Sequence, residues 1–211
     1  WDDDDKLRTL CRKTIDWADK HEGGNVTVNR MRQNSKVYLA PQSPSNFRPT
    51  AAKYIYNTYG KQGVVYDPCA GWGGRLFGFL ASNCERYIGT DPSKKSYNGL
   101  NEIARTFNKG ILFDEFKDIE IYNQCAEDWI PMRKVDLVFT SPPYFDCEKY
   151  SDEPTQSYLR HPTREKWTEG FLREMIKGCK IIMKDDAKMI LNIANTTKHK
   201  WIEEETIRVA S

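Results

Sequence analysis

The sequence predicts an α/β fold built on a mostly parallel sheet with helices on both faces. Three observations carry this reading. Short runs rich in β-branched and aromatic residues recur at 64–67 (VVYD), 86–90 (RYIGT) and 135–140 (VDLVFT). Helix-length segments separate them, the pattern of βαβ units. The runs are apolar almost throughout rather than alternating, as strands covered on both faces are.

Taken in order, the chain opens with Trp1 and an Asp-Asp-Asp-Asp-Lys run that resembles a cleavable tag as much as native sequence, so residues 1–6 stand outside the fold reasoning. Leu7, Leu10, Cys11, Thr14, Trp17 and Ala18 then fall near one face of a helix. Residues 22–47 read as an irregular connector, making 7–49 a basic helix-and-connector ahead of a domain at 50–211. Within that domain the expected elements are a helix at 50–59, a strand at 64–67, a helix at 74–82, a strand at 86–90 and a helix at 94–107. Strands at 119–123 and 135–140 follow, then a helix near 164–183, a strand at 187–193 (AKMILNI) and a last helix from about 199. The sequence stops inside that helix, which reads either as a fragment or as the loss of disordered segments.

Composition narrows the class. A length of 211 residues suits one α/β domain, without a repeat of fixed period. No apolar run approaches the roughly 18 residues of a membrane-spanning helix. The six cysteines, at 11, 69, 84, 125, 147 and 179, form no C-x-x-C pair, which argues against a zinc site or a disulfide framework and fits a reducing compartment. Net charge is only +2, but residues 7–53 hold nine Lys/Arg against three acids. Arg30, Arg32 and Lys36 in that stretch are candidates for phosphate contacts, with a solvated helix face as the alternative.

The turn after the first strand carries the chemistry. In parallel sheets ligands sit at the carboxyl ends of the strands. There the sequence places Asp67 and then Gly71, Gly73 and Gly74, which let the backbone approach a ligand closely and leave the amides of the next helix free. A dinucleotide fingerprint would need a third glycine where Leu76 stands, and Asp67 is a poor neighbour for a pyrophosphate. Asp91, ending the second strand, is placed to take two ribose hydroxyls or to cap the helix at 94–107. Glu127 and Asp128, read as ending the third strand, are placed to accept from an adenine amino group with Ile88 or Ile130 over the ring, or in the case of Asp128 to cap a turn before Pro131.

The stretch DPCAGWGG (67–74) resembles the S-adenosyl-L-methionine (AdoMet) motif of class I methyltransferases. SPPY (141–144), after a buried strand, is similar to the catalytic motif of those that methylate exocyclic amino groups of DNA bases. NFRPTAAKYIYNTYG (46–60) is similar to the family segment that helps close the methionine end of the cofactor. The resemblance covers about residues 46–194. It implies a Rossmann-like class I methyltransferase fold, with AdoMet held by Arg48, Asp67, Cys69, Ala70, Gly71, Gly73, Asp91, Glu127 and Asp128. It further implies catalysis by Ser141, Pro142, Pro143 and Tyr144, duplex DNA as partner with Phe145 beside the flipped base, and no metal. The motif order fits the permutation group with target recognition towards the C terminus. The family's recognition region and final antiparallel strand pair have no evident counterpart before residue 211. A cytoplasmic enzyme of a bacterium or phage-infected cell, in a restriction-modification or phage setting, is the corresponding expectation.

The residue types suit such a reaction. An exocyclic amino nitrogen is a poor nucleophile because its lone pair is delocalised into the ring. The Ser141 hydroxyl and Pro142 carbonyl can accept the two amino hydrogens and draw the nitrogen towards a pyramidal shape, and two prolines hold these acceptors in place. Tyr144 can stack on a base taken out of the duplex, or pack as a core ring. The long polar segment 145–168 covers the target or serves as a connector. No histidine base is required, so His21, His161 and His199 read as surface or loop residues. Cytosine N4 is preferred to adenine N6 because serine opens the motif. RNA or protein-amide methylation, and a non-catalytic binding module, are the alternatives.

Overall fold

The computed structural model describes residues 4–38, 46–108, 116–147 and 150–211, and contacts divide the chain into units at 1–45 and 46–211. The first unit is a helical pair, α1 (Asp4–His21) and α2 (Val28–Tyr38). Thr14, one of the residues read from periodicity, accepts from Asn34 Nδ2 at 3.2 Å. The connector expected at 22–47 is therefore partly wrong, because 28–38 is helical. The valines and asparagines within it (Val28, Asn29, Asn34 and Val37) give little helical signal on their own.

The second unit orders as α3 (Pro49–Tyr59), β1 (Val64–Asp67), α4 (Gly74–Leu80), β2 (Arg86–Thr90), α5 (Lys94–Phe107), β3 (Asp118–Tyr122) and β4 (Val135–Thr140). Then come α6 (Ser157–Arg160), α7 (Arg164–Lys166), a π-helical stretch (Trp167–Arg173), α8 (Glu174–Ile182), β5 (Met183–Leu191) and α9 (Ile202–Ala210). The described strands form one parallel sheet in the order β3-β2-β1-β4-β5. Strand order reverses between β1 and β4, where the chain returns from the far edge, so a crevice opens at the carboxyl ends of these two strands.

Period-2 alternation explains the two layers. Val65, Tyr87, Leu137 and Phe139 face a core shared with Ala52, Tyr56, Leu76, Phe79 and Leu100 from α3, α4 and α5. Their neighbours Tyr66, Ile88 and Val138 face the opposite core, with Trp167, Leu172, Met175 and Ile176. All six residues of β4 are buried, as a central parallel strand requires. Pro49 starts α3 at a position where its missing N–H is harmless. Ser93 caps α5 by accepting from Ser96 N, so the cap is Ser93 rather than Asp91. Residues 46–48 belong with this second unit: Asn46 Oδ1 accepts from Gly74 N at 3.0 Å. Among the described residues no helix is long and apolar enough to cross a membrane.

Candidate functional site

The glycine turn lies where the topology puts the crevice. Gly71 (φ +61°) and Gly73 (φ +88°) both adopt the left-handed conformation that β-carbons disfavour. A β-carbon on Gly71 would meet only Cys69 O, at an ordinary contact distance of 3.9 Å, so φ rather than crowding calls for glycine there. One on Gly74 would strike Phe47 O at 2.2 Å, which shows how closely segment 46–48 covers the start of α4. The turn amides are less free than the sequence suggests. Gly71 N donates to Asp91 Oδ2 at 3.0 Å, and Gly74 N is taken by Asn46.

Asp91 sits at the end of β2, 9% exposed, and also accepts from Ser93 N at 3.0 Å. Burial pushes its carboxyl up to about 6, against the pull of the two amide donors. The hydrogen bonds it accepts from Gly71 N and Ser93 N come from neutral amides, so an ionised carboxylate here is under-solvated.

Asp67 has a different environment. It is 1% exposed, and Arg75 reaches it through Nε at 2.7 Å and Nη2 at 3.2 Å. Tyr87 Oη donates to it at 2.9 Å and Thr140 Oγ1 at 2.7 Å. Burial works against the Arg75 charge, but the charge and hydrogen bonds of Asp67 outweigh it and hold the guanidinium above its usual value. Arg75 also donates to Cys69 O. Asp67, anticipated as an open ligand, is thus the centre of a closed network. Arg75 was missed, although a lone arginine in the otherwise apolar segment RLFGFL, eight residues after an aspartate, was a usable sign.

The SPPY segment leaves the end of β4 beside this turn. Cys69 N donates to Thr140 Oγ1 at 3.1 Å, tying the two strand ends together. Ser141 Oγ donates to Asn192 O at 3.1 Å and accepts from Asn192 Nδ2 at 3.1 Å, while Tyr144 Oη lies 3.5 Å from Asn192 O. Pro142 is buried, and Pro143 and Tyr144 are half-buried. Asn192, just past β5, was not anticipated from the sequence.

Other expected positions sit elsewhere or are otherwise engaged. Phe145 (φ +55°) is buried against Trp167, His199 and Trp201, so it anchors the loop instead of facing nucleic acid. His199 lies in the loop after β5, one of the two readings given for it, where it packs on that cluster and bonds Asp146 Oδ1 through Nε2. Asp146, whose other oxygen takes Lys198, lies with Cys147 and His199 close enough for their donor atoms to fall within 4.8 Å of one another. Glu127 and Asp128 lie in a turn beyond β3, both paired with Arg160, and burial pushes Glu127 up. Ile88 is 1% exposed in the core and cannot cover a ligand ring. Arg48 precedes α3 as its N-cap residue, without a side-chain cap bond. Ala70 is buried, with its N–H on Thr90 O at 2.9 Å. Trp72, in the glycine turn, is 48% exposed and meets Tyr150 edge-on at 5.9 Å between centroids, a second feature that sequence reasoning passed over.

In the first unit, Arg30 pairs with Glu22 at 2.7 Å, bonds Gln33 and stacks over Trp17 at 3.4 Å, so it is committed locally rather than to phosphate. Arg32 is exposed on the same helix, and the side chain of Lys36 lies outside the described residues.

No protein-family model matches the sequence, and no curated protein matches it. Similarity is found with solved structures. The glycopeptide N-methyltransferase MtfA, crystallised with sinefungin, aligns at a TM-score of 0.50 and 13% identity, over 75% of this chain and 55% of that one. An S-adenosylmethionine-dependent methyltransferase from Clostridium acetobutylicum aligns at 0.49 and 12%, over 78% and 56%. The chain therefore spans little more than half the length of these structures. Strand order, parallel pairing and the likeness to MtfA agree, and the chain has the Rossmann-like class I methyltransferase fold.

Proposed function

We propose that this chain is an AdoMet-dependent methyltransferase acting on an exocyclic amino group of a DNA base, cytosine N4 in preference to adenine N6. The observation that carries the reading is the adjacency of two strand ends: the glycine turn after β1 and Ser141-Pro142-Pro143-Tyr144 after β4, joined by the hydrogen bond from Cys69 N to Thr140 Oγ1. The residues suit the cofactor. The left-handed Gly71, which carries no β-carbon, would let a ligand approach the backbone, and Asp91 presents a buried carboxylate that two ribose hydroxyls would stabilise. Asp67 supports the turn through its network, and Arg48, Cys69, Ala70, Gly73, Glu127 and Asp128 are the other residues that would hold the cofactor. MtfA, which shares the fold, is described as an N-methyltransferase.

Bound AdoMet would supply an electrophilic sulfonium methyl. The rest is the work of this chain. Ser141 Oγ and the Pro142 carbonyl would accept the two amino hydrogens, so the nitrogen lone pair would be free to take the methyl as its bond to sulfur breaks, with the neutral thioether as leaving group and the surplus proton passing to water. Tyr144 stacks on the extruded base, worth about 1–3 kcal/mol against an extrusion cost of a few kcal/mol.

Transfer of labelled methyl from AdoMet to duplex DNA, followed by nucleoside analysis, tests the reading. N4-methylcytosine is the expected product. N6-methyladenine would replace the target base and keep the mechanism, while label in RNA or protein alone would overturn the DNA assignment. Failure of the folded protein to bind AdoMet in calorimetry would favour a non-catalytic binding module.

A further inference from the structure

We infer that Asn192 is the positioning residue for Ser141, an inference that rests on the amino-methylation proposed above. Asn192 N donates to Thr140 O at 2.9 Å, which extends the β4–β5 ladder by one bond and fixes the residue whatever its side chain. From that point it makes two opposed contacts with one hydroxyl. Its carbonyl accepts the Ser141 hydrogen and its Nδ2 donates to Ser141 Oγ, each at 3.1 Å.

The consequence follows from the valence of a hydroxyl, which has one hydrogen and two lone pairs. Free serine rotates and offers either a donor or an acceptor to whatever approaches. Here the hydrogen is taken by Asn192 O and one lone pair by Asn192 Nδ2. What remains is a single lone pair, so Ser141 meets an incoming amino group only as an acceptor. An acceptor fixed before the substrate arrives needs no reorganisation as the nitrogen pyramidalises. Asn192 therefore selects for a donor at the reacting position and acts through Ser141 rather than on the methyl.

The experiment is a double-mutant cycle with labelled AdoMet and an unmethylated plasmid duplex, comparing wild type, Asn192→Ala, Ser141→Ala and the pair. Loss of one oriented hydrogen bond predicts a fall in kcat of about tenfold for Asn192→Ala with little change in KM. In the Ser141→Ala background the same change is expected to have almost no further effect. Asn192→Asp, of the same shape, supplies a second readout: its carboxylate cannot donate to Ser141 Oγ, whereas its protonated form can, so kcat should rise as pH falls through the new carboxyl's pKa, a limb that wild type lacks. AdoMet affinity measured in parallel reports whether each variant folds. Equal losses in both backgrounds, a change confined to KM, or an Asn192→Asp variant with the wild-type pH profile would overturn the role of Asn192 while leaving the methyltransferase reading intact. Wild type without transfer to DNA would overturn both.

Discussion

Thr140 Oγ1 donates to Asp67 Oδ1 at 2.7 Å and accepts from Cys69 N at 3.1 Å, so one hydroxyl joins the ends of β1 and β4. Thr140 is fully buried. Thr140→Val keeps the shape but leaves a carboxylate oxygen and an amide each short of a partner. The expected loss of stability is about 2–3 kcal/mol, read by denaturant unfolding. A variant as stable as wild type would mean that the hydroxyl is not holding the two strand ends.

The Arg75–Asp67 pair sets a larger scale, since both side chains are nearly inaccessible. Arg75→Met removes the cation and strands the carboxylate in the core, which should destabilise by about 3–5 kcal/mol. Adding Asp67→Asn should recover part of that loss, because the uncompensated charge is gone. Additive losses in the double variant would contradict the pairing.

The same network marks the limit of what could be read from the sequence. β1, β2, β4 and α5 stand where strand runs and helix periodicity placed them, because buried parallel strands leave an unmistakable apolar signature. Asp91, Ser141 and Tyr144 could be singled out as candidates because they stand at or just beyond the ends of such strands. The roles of Thr140 and Asn192 could not be singled out in this way: they come from partners 73 and 51 residues away, and no local period encodes that, whereas Arg75 left a sign in its apolar segment. The helix at 28–38 was hidden by weak propensity, and the buried state of Phe145 by a positive φ that a non-glycine residue rarely adopts.

Asp91 predicts how cofactor binding depends on pH. Its carboxyl is raised to about 6, so in the free protein the proton is held more tightly than in the unfolded chain. This group thus favours folding below about pH 4, and that contribution is lost as pH rises through 6. Ribose hydroxyls donate to the ionised form, so binding AdoMet should expel the proton. Affinity should rise with pH up to about 6, by at most about tenfold per unit, and level off above. Calorimetry in buffers of different ionisation enthalpy would detect the released proton. Affinity that is flat from pH 5 to 8 would remove Asp91 from the ribose.

The target side is tested by two residues that should fail differently. Ser141→Ala should lower kcat by about tenfold or more and leave DNA binding nearly unchanged, because the hydrogen bond strengthens only as the nitrogen becomes pyramidal. Tyr144→Ala should instead weaken capture of the extruded base, by an amount close to one lost stacking contact of about 1–3 kcal/mol. Its deficit should shrink on a duplex with a mismatched target, where extrusion is already cheap. Tyr144→Phe should be almost silent in base capture, since stacking needs the ring and not the hydroxyl. Single-turnover rates and equilibrium binding on matched and mismatched duplexes separate these outcomes. A Tyr144→Ala variant equally impaired on both duplexes would make the ring a packing element of the SPPY turn and leave capture of the base to another side chain.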